Sequence, residues 1–148
     1  MNEDFHDALA ALVKSGARFL VVGAHALGVH GVPRATVDLD VWIDPTPDNA
    51  RRVWEALAIF GAPLQALDVK ESDFLRPDMV AQFGMPPWRI DILTSVSGVS
   101  FEEAWSGRLQ GDFDGVSVPF LGRAEFIRNK RSSGRKKDLG DLEALGEE

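Results

Sequence analysis

The stretch from Phe19 to Ile43 constrains this chain more than any other. Phe19-Leu20-Val21-Val22 is an apolar run of strand length that ends at Gly23. Ala24 to Val29 suits a short helix, which Gly31 and Pro33 stop. Val37-Asp38-Leu39-Asp40-Val41-Trp42-Ile43 then alternates with period two. On a strand, Val37, Leu39, Val41 and Ile43 share one face, and Asp38 and Asp40 share the other. The two acids are then roughly 6.6 Å apart along the chain, close enough to serve one metal ion or a pair of them. The plainer alternative is an amphipathic strand with a solvated face. Against it, Asp is depleted in strands, and like charges on one face repel unless a cation lies between them. A third acid also recurs in a similar setting, in Arg89-Ile90-Asp91-Ile92-Leu93.

A chain of 148 residues fits one domain, expected over residues 1–148, and can bury a proper core. It has no cysteine, which excludes a disulfide framework, a thiol nucleophile and a cysteine zinc site. No apolar run approaches the ~20 residues needed to span a bilayer, and the acidic start Met1-Asn2-Glu3-Asp4 lacks the basic opening of a signal peptide. A cytoplasmic protein with no membrane association is expected. The net charge of −7 argues against broad nucleic-acid binding. Seven of the sixteen basic residues nevertheless lie between Arg123 and Lys137, with Glu125 the only acid among them. That run reads either as a positive patch for a polyphosphate or nucleic-acid end, or as a solvated helix face.

In chain order, residues 3–15 read as a helix with Phe5, Ala8, Leu9, Leu12 and Val13 on one stripe. Residues 18–23 form the first strand, and the helix after Gly23 would offer its amides to a phosphate. His25 and His30 are expected to be structural, with a role near a phosphate open for His25. Asp44 ends the acidic strand and ranks below Asp38 and Asp40. Residues 48–60 form a second helix, stopped by Gly61. Residues 62–78 are irregular, a loop placed to border an acceptor pocket. Residues 79–83 and 88–94 read as strands joined through Gly84-Met85-Pro86-Pro87. If the second of these adjoins the Asp38 strand, the three acids converge. Residues 101–109 read as a helix, with Ser100 and Glu103 as its capping box. Residues 113–120 form a last strand, and residues 123–132 and 137–145 two final helices. Strands mixed with helices, some joined by hairpins, point to an α/β or α+β fold with a mixed sheet.

Taken together, Gly23-Ala24, Pro33-Arg34-Ala35-Thr36-Val37-Asp38-Leu39-Asp40 and Ile90-Asp91-Ile92 resemble the nucleotidyltransferase superfamily. The likeness is greatest to the minimal bacterial members often encoded as halves of toxin–antitoxin pairs. It continues through residues 87–94, 98–105 and 134–139. The resemblance implies the DNA polymerase beta-like fold, a mixed central sheet of about five strands flanked by helices. It also implies Asp38, Asp40 and Asp91 as catalytic and metal-binding residues, two Mg²⁺ ions, and transfer of a nucleoside monophosphate from a nucleoside triphosphate. Gly23, Ala24, Arg34, Thr36, Lys130 and Lys137 would bind the nucleotide, with Lys130 and Lys137 on its β- and γ-phosphates. The family's turn usually reads Gly-Gly or Gly-Ser, so Ala24 leaves only backbone contacts there. The acceptor would be a protein side chain, an RNA 3′ end or a small molecule. The chain lacks the helical domain with which larger members hold an acceptor, so a homodimer or a partner chain is expected. Two other readings stay open: a catalytically silent binding module or antitoxin-like subunit, and an unrelated domain whose acids lie at the surface.

Overall fold

Six strands form one mixed sheet in the computed structural model, which describes residues 3–147. Met1 and Asn2, read above as part of the acidic start, lie outside the described residues, as does Glu148. The strands are β1 (Phe19–Val22), β2 (Asp38–Ile43), β3 (Val80–Phe83), β4 (Arg89–Leu93), β5 (Leu109–Phe113) and β6 (Val116–Phe120). Their order across the sheet is β3-β4-β2-β1-β6-β5. β2 runs antiparallel to β1 and parallel to β4, and β1 runs parallel to β6. Six helices accompany them among the described residues: α1 (Glu3–Lys14), α2 (Gly23–Val29), α3 (Pro47–Phe60), α4 (Phe101–Ser106), α5 (Arg123–Ser133) and α6 (Lys136–Ala144).

The sheet has six strands where about five were expected, and the difference lies at residues 107–120. The helix expected over 101–109 stops at Ser106, with Gly107 as its C-cap. The single strand expected over 113–120 is the second arm of a hairpin, β5–β6. Asp114 and Gly115 both take positive φ, 50° and 89°. Positive φ at both central residues is what a two-residue turn needs to follow the twist of the flanking strands.

The period-two pattern of β2 divides the sheet into two faces. Leu39, Val41 and Ile43 are essentially inaccessible. In the parallel register Leu39 lies opposite Ile90. α1 and α3 close this face: Phe60 of α3 packs its ring against Phe83, whose antiparallel partner is Ile90. α1 buries Phe5, Ala8, Leu9 and Leu12, while Val13, counted with the same stripe above, is 43 % exposed. Each fully buried Leu of this stripe contributes about 1.5–3 kcal/mol. The other face starts polar at Asp38 and Asp40 and turns apolar at Trp42, whose ring meets Phe101 of α4 edge-on at 5.2 Å. The acids therefore stand where helical cover on that face gives out. The irregular stretch 62–78 contains a short 3₁₀ turn at Glu71–Leu75 and drives Phe74 into the core.

Candidate functional site

The register between β2 and β4 assembles the acids. Asp40 lies directly opposite Asp91, and Asp38 directly opposite Arg89. Side chains alternate along both strands, so Asp38, Asp40, Arg89 and Asp91 all project from the same face. Gly23 admits Asp40 to this position: a Cβ on Gly23 would overlap the Asp40 carboxylate, and its φ of +69° lies in the left-handed region. The expected reason for Gly23 was close approach to a ligand. The carboxylate of Asp40 fills that space instead.

Arg89, which the sequence reading passed over, belongs to this cluster. Its Nε donates to Asp91 Oδ1 at 2.9 Å and its Nη2 to Asp91 Oδ2 at 3.2 Å, a two-point grip. Nη2 also reaches Asp38 Oδ2 at 3.4 Å. One guanidinium thus makes three hydrogen bonds to two carboxyl groups. Burial first, and then the neighbouring Asp91 through its charge and a shared hydrogen bond, raise the Asp40 carboxyl to about 6. Among the described residues, no three acidic or imidazole groups already stand as a ready-made metal site. Arg89 takes up both oxygens of Asp91.

Every nucleotide-binding residue expected from the sequence lines one cleft beside this cluster. Gly23, Ala24, Arg34, Thr36, Lys130 and Lys137 surround it together with Asp38 and Asp40, in a volume of about 210 Å³. Asp91 is not part of its wall. A larger cavity of about 510 Å³ opens between Asp40, Val96, Ser97, Asn129 and Lys130. On the far side of Asp38, a groove of about 520 Å³ runs between Val37, Phe83, Pro86, Pro87, Trp88 and Arg89. An acceptor pocket was expected beside residues 62–78. The groove next to the acids is built instead by the β3–β4 connection.

The cations of the cleft are largely spoken for. Lys130 Nζ, itself buried, lies 3.1 Å from Asp138 Oδ1 and 3.6 Å from Asp141 Oδ2. Arg34 pairs with Asp141 at 2.6 Å, and Arg135 with Asp138 at 2.8 Å. Arg128 pairs with Glu103. Three cations of the run between 123 and 137, Arg128, Lys130 and Arg135, are therefore countered by acids outside it. Lys137 is exposed on the cleft wall and makes no ion pair among the described residues. Thr36 Oγ1 accepts from the Asp38 amide at 3.1 Å and donates to the Asp38 carbonyl at 3.3 Å, which steadies the entry to β2.

Asp138 ties α5 to α6 and has a measurable signature. Burial alone would raise its carboxyl, but hydrogen bonds from Arg135, Ser133 and Lys130, with the Lys130 charge, hold it far below the usual carboxylate range. A depressed carboxylate contributes stability that is complete above its unfolded value, near 3.8, and lost as the pH falls below it. Denaturant titrations between pH 5 and pH 2 are expected to show this loss, and Asp138→Asn is expected to flatten it. An equally steep acid limb in the variant would assign the acid sensitivity elsewhere.

His25 and His30 pack within the fold. His25 packs between Phe5 and Phe113, with ring centroids at 5.9 and 5.0 Å. Burial lowers its pKa, against a hydrogen bond to the backbone of Asp38. It thus supports β2 from behind and lines no part of the cleft. His30 Nε2 bonds the Leu121 carbonyl at 2.8 Å. Asp44 is buried at the end of β2 and pairs with Arg18 at 3.1 Å, away from the cluster.

A mixed sheet flanked by helices, with acids paired across the adjacent parallel strands β2 and β4, is a nucleotidyltransferase-like fold. The chain is similar to the crystal structure of a proposed nucleotidyltransferase from Thermotoga maritima, with a TM-score of 0.56 and 13% sequence identity over 96% of this chain and 86% of that one. No family model and no curated protein matches the sequence. No helix among the described residues is long and apolar enough to cross a membrane.

Proposed function

We propose that this protein is a Mg²⁺-dependent nucleotidyltransferase that moves a nucleoside monophosphate from a nucleoside triphosphate to a hydroxyl acceptor. The observation that carries the reading is the meeting of Asp38, Asp40 and Asp91 across β2 and β4 at the mouth of a cleft walled by Arg34, Lys130, Arg135 and Lys137. The donor set fits a hard divalent cation, which prefers carboxylate oxygen. The cluster is also short of positive charge, since Asp40 keeps a proton to about pH 6 with Arg89 alongside. Two Mg²⁺ ions held by the three acids would supply the positive charge that steadies the attacking and leaving oxygens of an in-line displacement.

The remaining work falls to the chain itself. Lys137 and the outer edges of Arg34 and Arg135 present positive charge to the phosphates. Arg34 and Arg135 do so while still bound to Asp141 and Asp138. The acceptor oxygen bonds to the α-phosphorus as pyrophosphate departs, and the acceptor's proton passes to a carboxylate of the cluster. In-line geometry brings the acceptor from the side opposite the cationic cleft, which is the groove of Phe83, Pro87 and Trp88. Its hydroxyl belongs to a protein side chain, an RNA 3′ end or a small molecule. A second copy or a partner chain, as in a toxin–antitoxin pair, would complete that groove. The grip of Arg89 on the acids favours a second reading, a silent binding module of the same fold.

Calorimetric titration with each nucleoside triphosphate, with and without Mg²⁺, tests the proposal. Binding that requires Mg²⁺ is the expected outcome. A folded protein that binds no triphosphate under either condition would overturn it.

A further inference from the structure

The place of Arg89 within the acids supports a role that goes beyond holding them in position. This inference rests on reading the acids as a cation site. Arg89 occupies both oxygens of Asp91 and one of Asp38. Those oxygens carry the lone pairs that a divalent cation needs. A guanidinium and a divalent cation cannot both hold them, because they compete for the same acceptors and repel each other. Arg89 is also free to leave. Its side chain is 47 % exposed, so departure returns the charge to water at little desolvation cost. The groove that it lines with Val37, Phe83, Pro87 and Trp88 gives the side chain somewhere to go.

We propose that Arg89 is a displaceable counter-ion: it balances the acids in the cation-free protein and swings out toward the groove when a divalent cation takes its place. Cation binding is then an exchange, and the acids hold a cation weakly until something repays the lost ion pairs. A polyphosphate entering the neighbouring cleft adds negative charge next to the cluster and offsets that loss. Arg89 thereby couples the cation to the nucleotide, so that neither settles in the site alone.

The sign of one measurement separates this from a purely structural role. An arginine that only steadies Asp91 would weaken cation binding when removed; a displaceable counter-ion would strengthen it. Calorimetric titration of the whole protein with Mn²⁺, without nucleotide, is expected to give at least a tenfold lower Kd for Arg89→Gln than for wild type, with Arg89→Lys between them. The cation-free Arg89→Gln protein is expected to melt at a lower temperature than wild type and to recover on adding Mn²⁺. An equal or higher Kd in Arg89→Gln overturns the proposal and leaves the cation site standing. No Mn²⁺ binding by either protein overturns the cation site itself. If Arg89→Gln does not fold, solvent exchange of the Arg89 Nε–H in wild type decides. Exchange at least tenfold faster in saturating Mg²⁺ supports displacement, and unchanged protection overturns it.

Discussion

Asp40→Asn is expected to fold at least as firmly as wild type and to lose its Mg²⁺-dependent binding of nucleoside triphosphate. The amide keeps the shape that fits against Gly23 and removes one of three charges crowded on one face. Burying a charge beside other charges is costly, and the Asp40 carboxyl, raised to about 6, records that cost. The sign is opposite to that for Asp138. A raised carboxyl contributes stability that is complete below its unfolded value, near 3.8, and lost as the pH rises through about 6. In a chelator, wild type is therefore expected to weaken across this interval and Asp40→Asn to hold level. At neutral pH the variant is expected to gain on the order of 1–2 kcal/mol. Transfer activity is expected to fall by on the order of 10²–10³ or more. Denaturant curves from pH 4 to pH 8, with calorimetry on the same samples, check both halves. A variant that still bound Mg²⁺–nucleotide like wild type would remove Asp40 from the site.

Lys130→Met is expected to destabilise the protein by about 3 kcal/mol, and at this size that lowers Tm by about 6–12 °C. The sequence reading placed Lys130 on the nucleotide phosphates. It does line the cleft, but its ammonium sits buried against Asp138 and Asp141. Removing it leaves two buried carboxylates leaning on Arg135, Ser133 and Arg34 alone. Methionine keeps an unbranched apolar stem, so the loss reports the charge, including its place 5.3 Å over the Phe126 ring, rather than a cavity. Thermal melts of the variant give the answer. An unchanged Tm with weakened triphosphate binding would return Lys130 to the role of a phosphate contact.

The sequence made some of this legible and hid the rest for identifiable reasons. Asp38 and Asp40 stood out because alternation fixes which residues share a face, whatever the strand's neighbours. Asp91 needed one further step, the adjacency of β4 and β2. Arg89 was missed because its charge reads as solvent-facing in one dimension. Its partners Asp91 and Asp38 become neighbours only through cross-strand register and alternation. The partners of Lys130 were hidden for a related reason: the acids that neutralise it lie eight and eleven residues on, in the next helix, beyond the run whose charge was counted. The β5–β6 hairpin did carry a local signal, Asp114-Gly115. The alternation of Val116 and Val118 pulled the strand assignment across it. Phe74 gave no periodic cue at all, since the adjacent pair Phe74-Leu75 between Asp73 and Arg76 matches neither a strand nor a helix repeat.

The order of strands also bears on when the cleft can exist. β1 at the centre of the sheet takes β6 as its parallel neighbour, joining Val21 to Phe120 about a hundred residues away. The pairing of Asp40 with Asp91 spans about fifty, and the cationic wall comes from α5 and α6, later still. Contacts of such long range form slowly, because the intervening chain must be ordered before they are rewarded. On the ribosome, the acidic strands emerge and can pair well before the helices that give them a binding cleft. On the proposed function, a nascent chain of this protein would carry its carboxylates for some time without being able to use them, and capture of a nucleotide would mark the completion of folding.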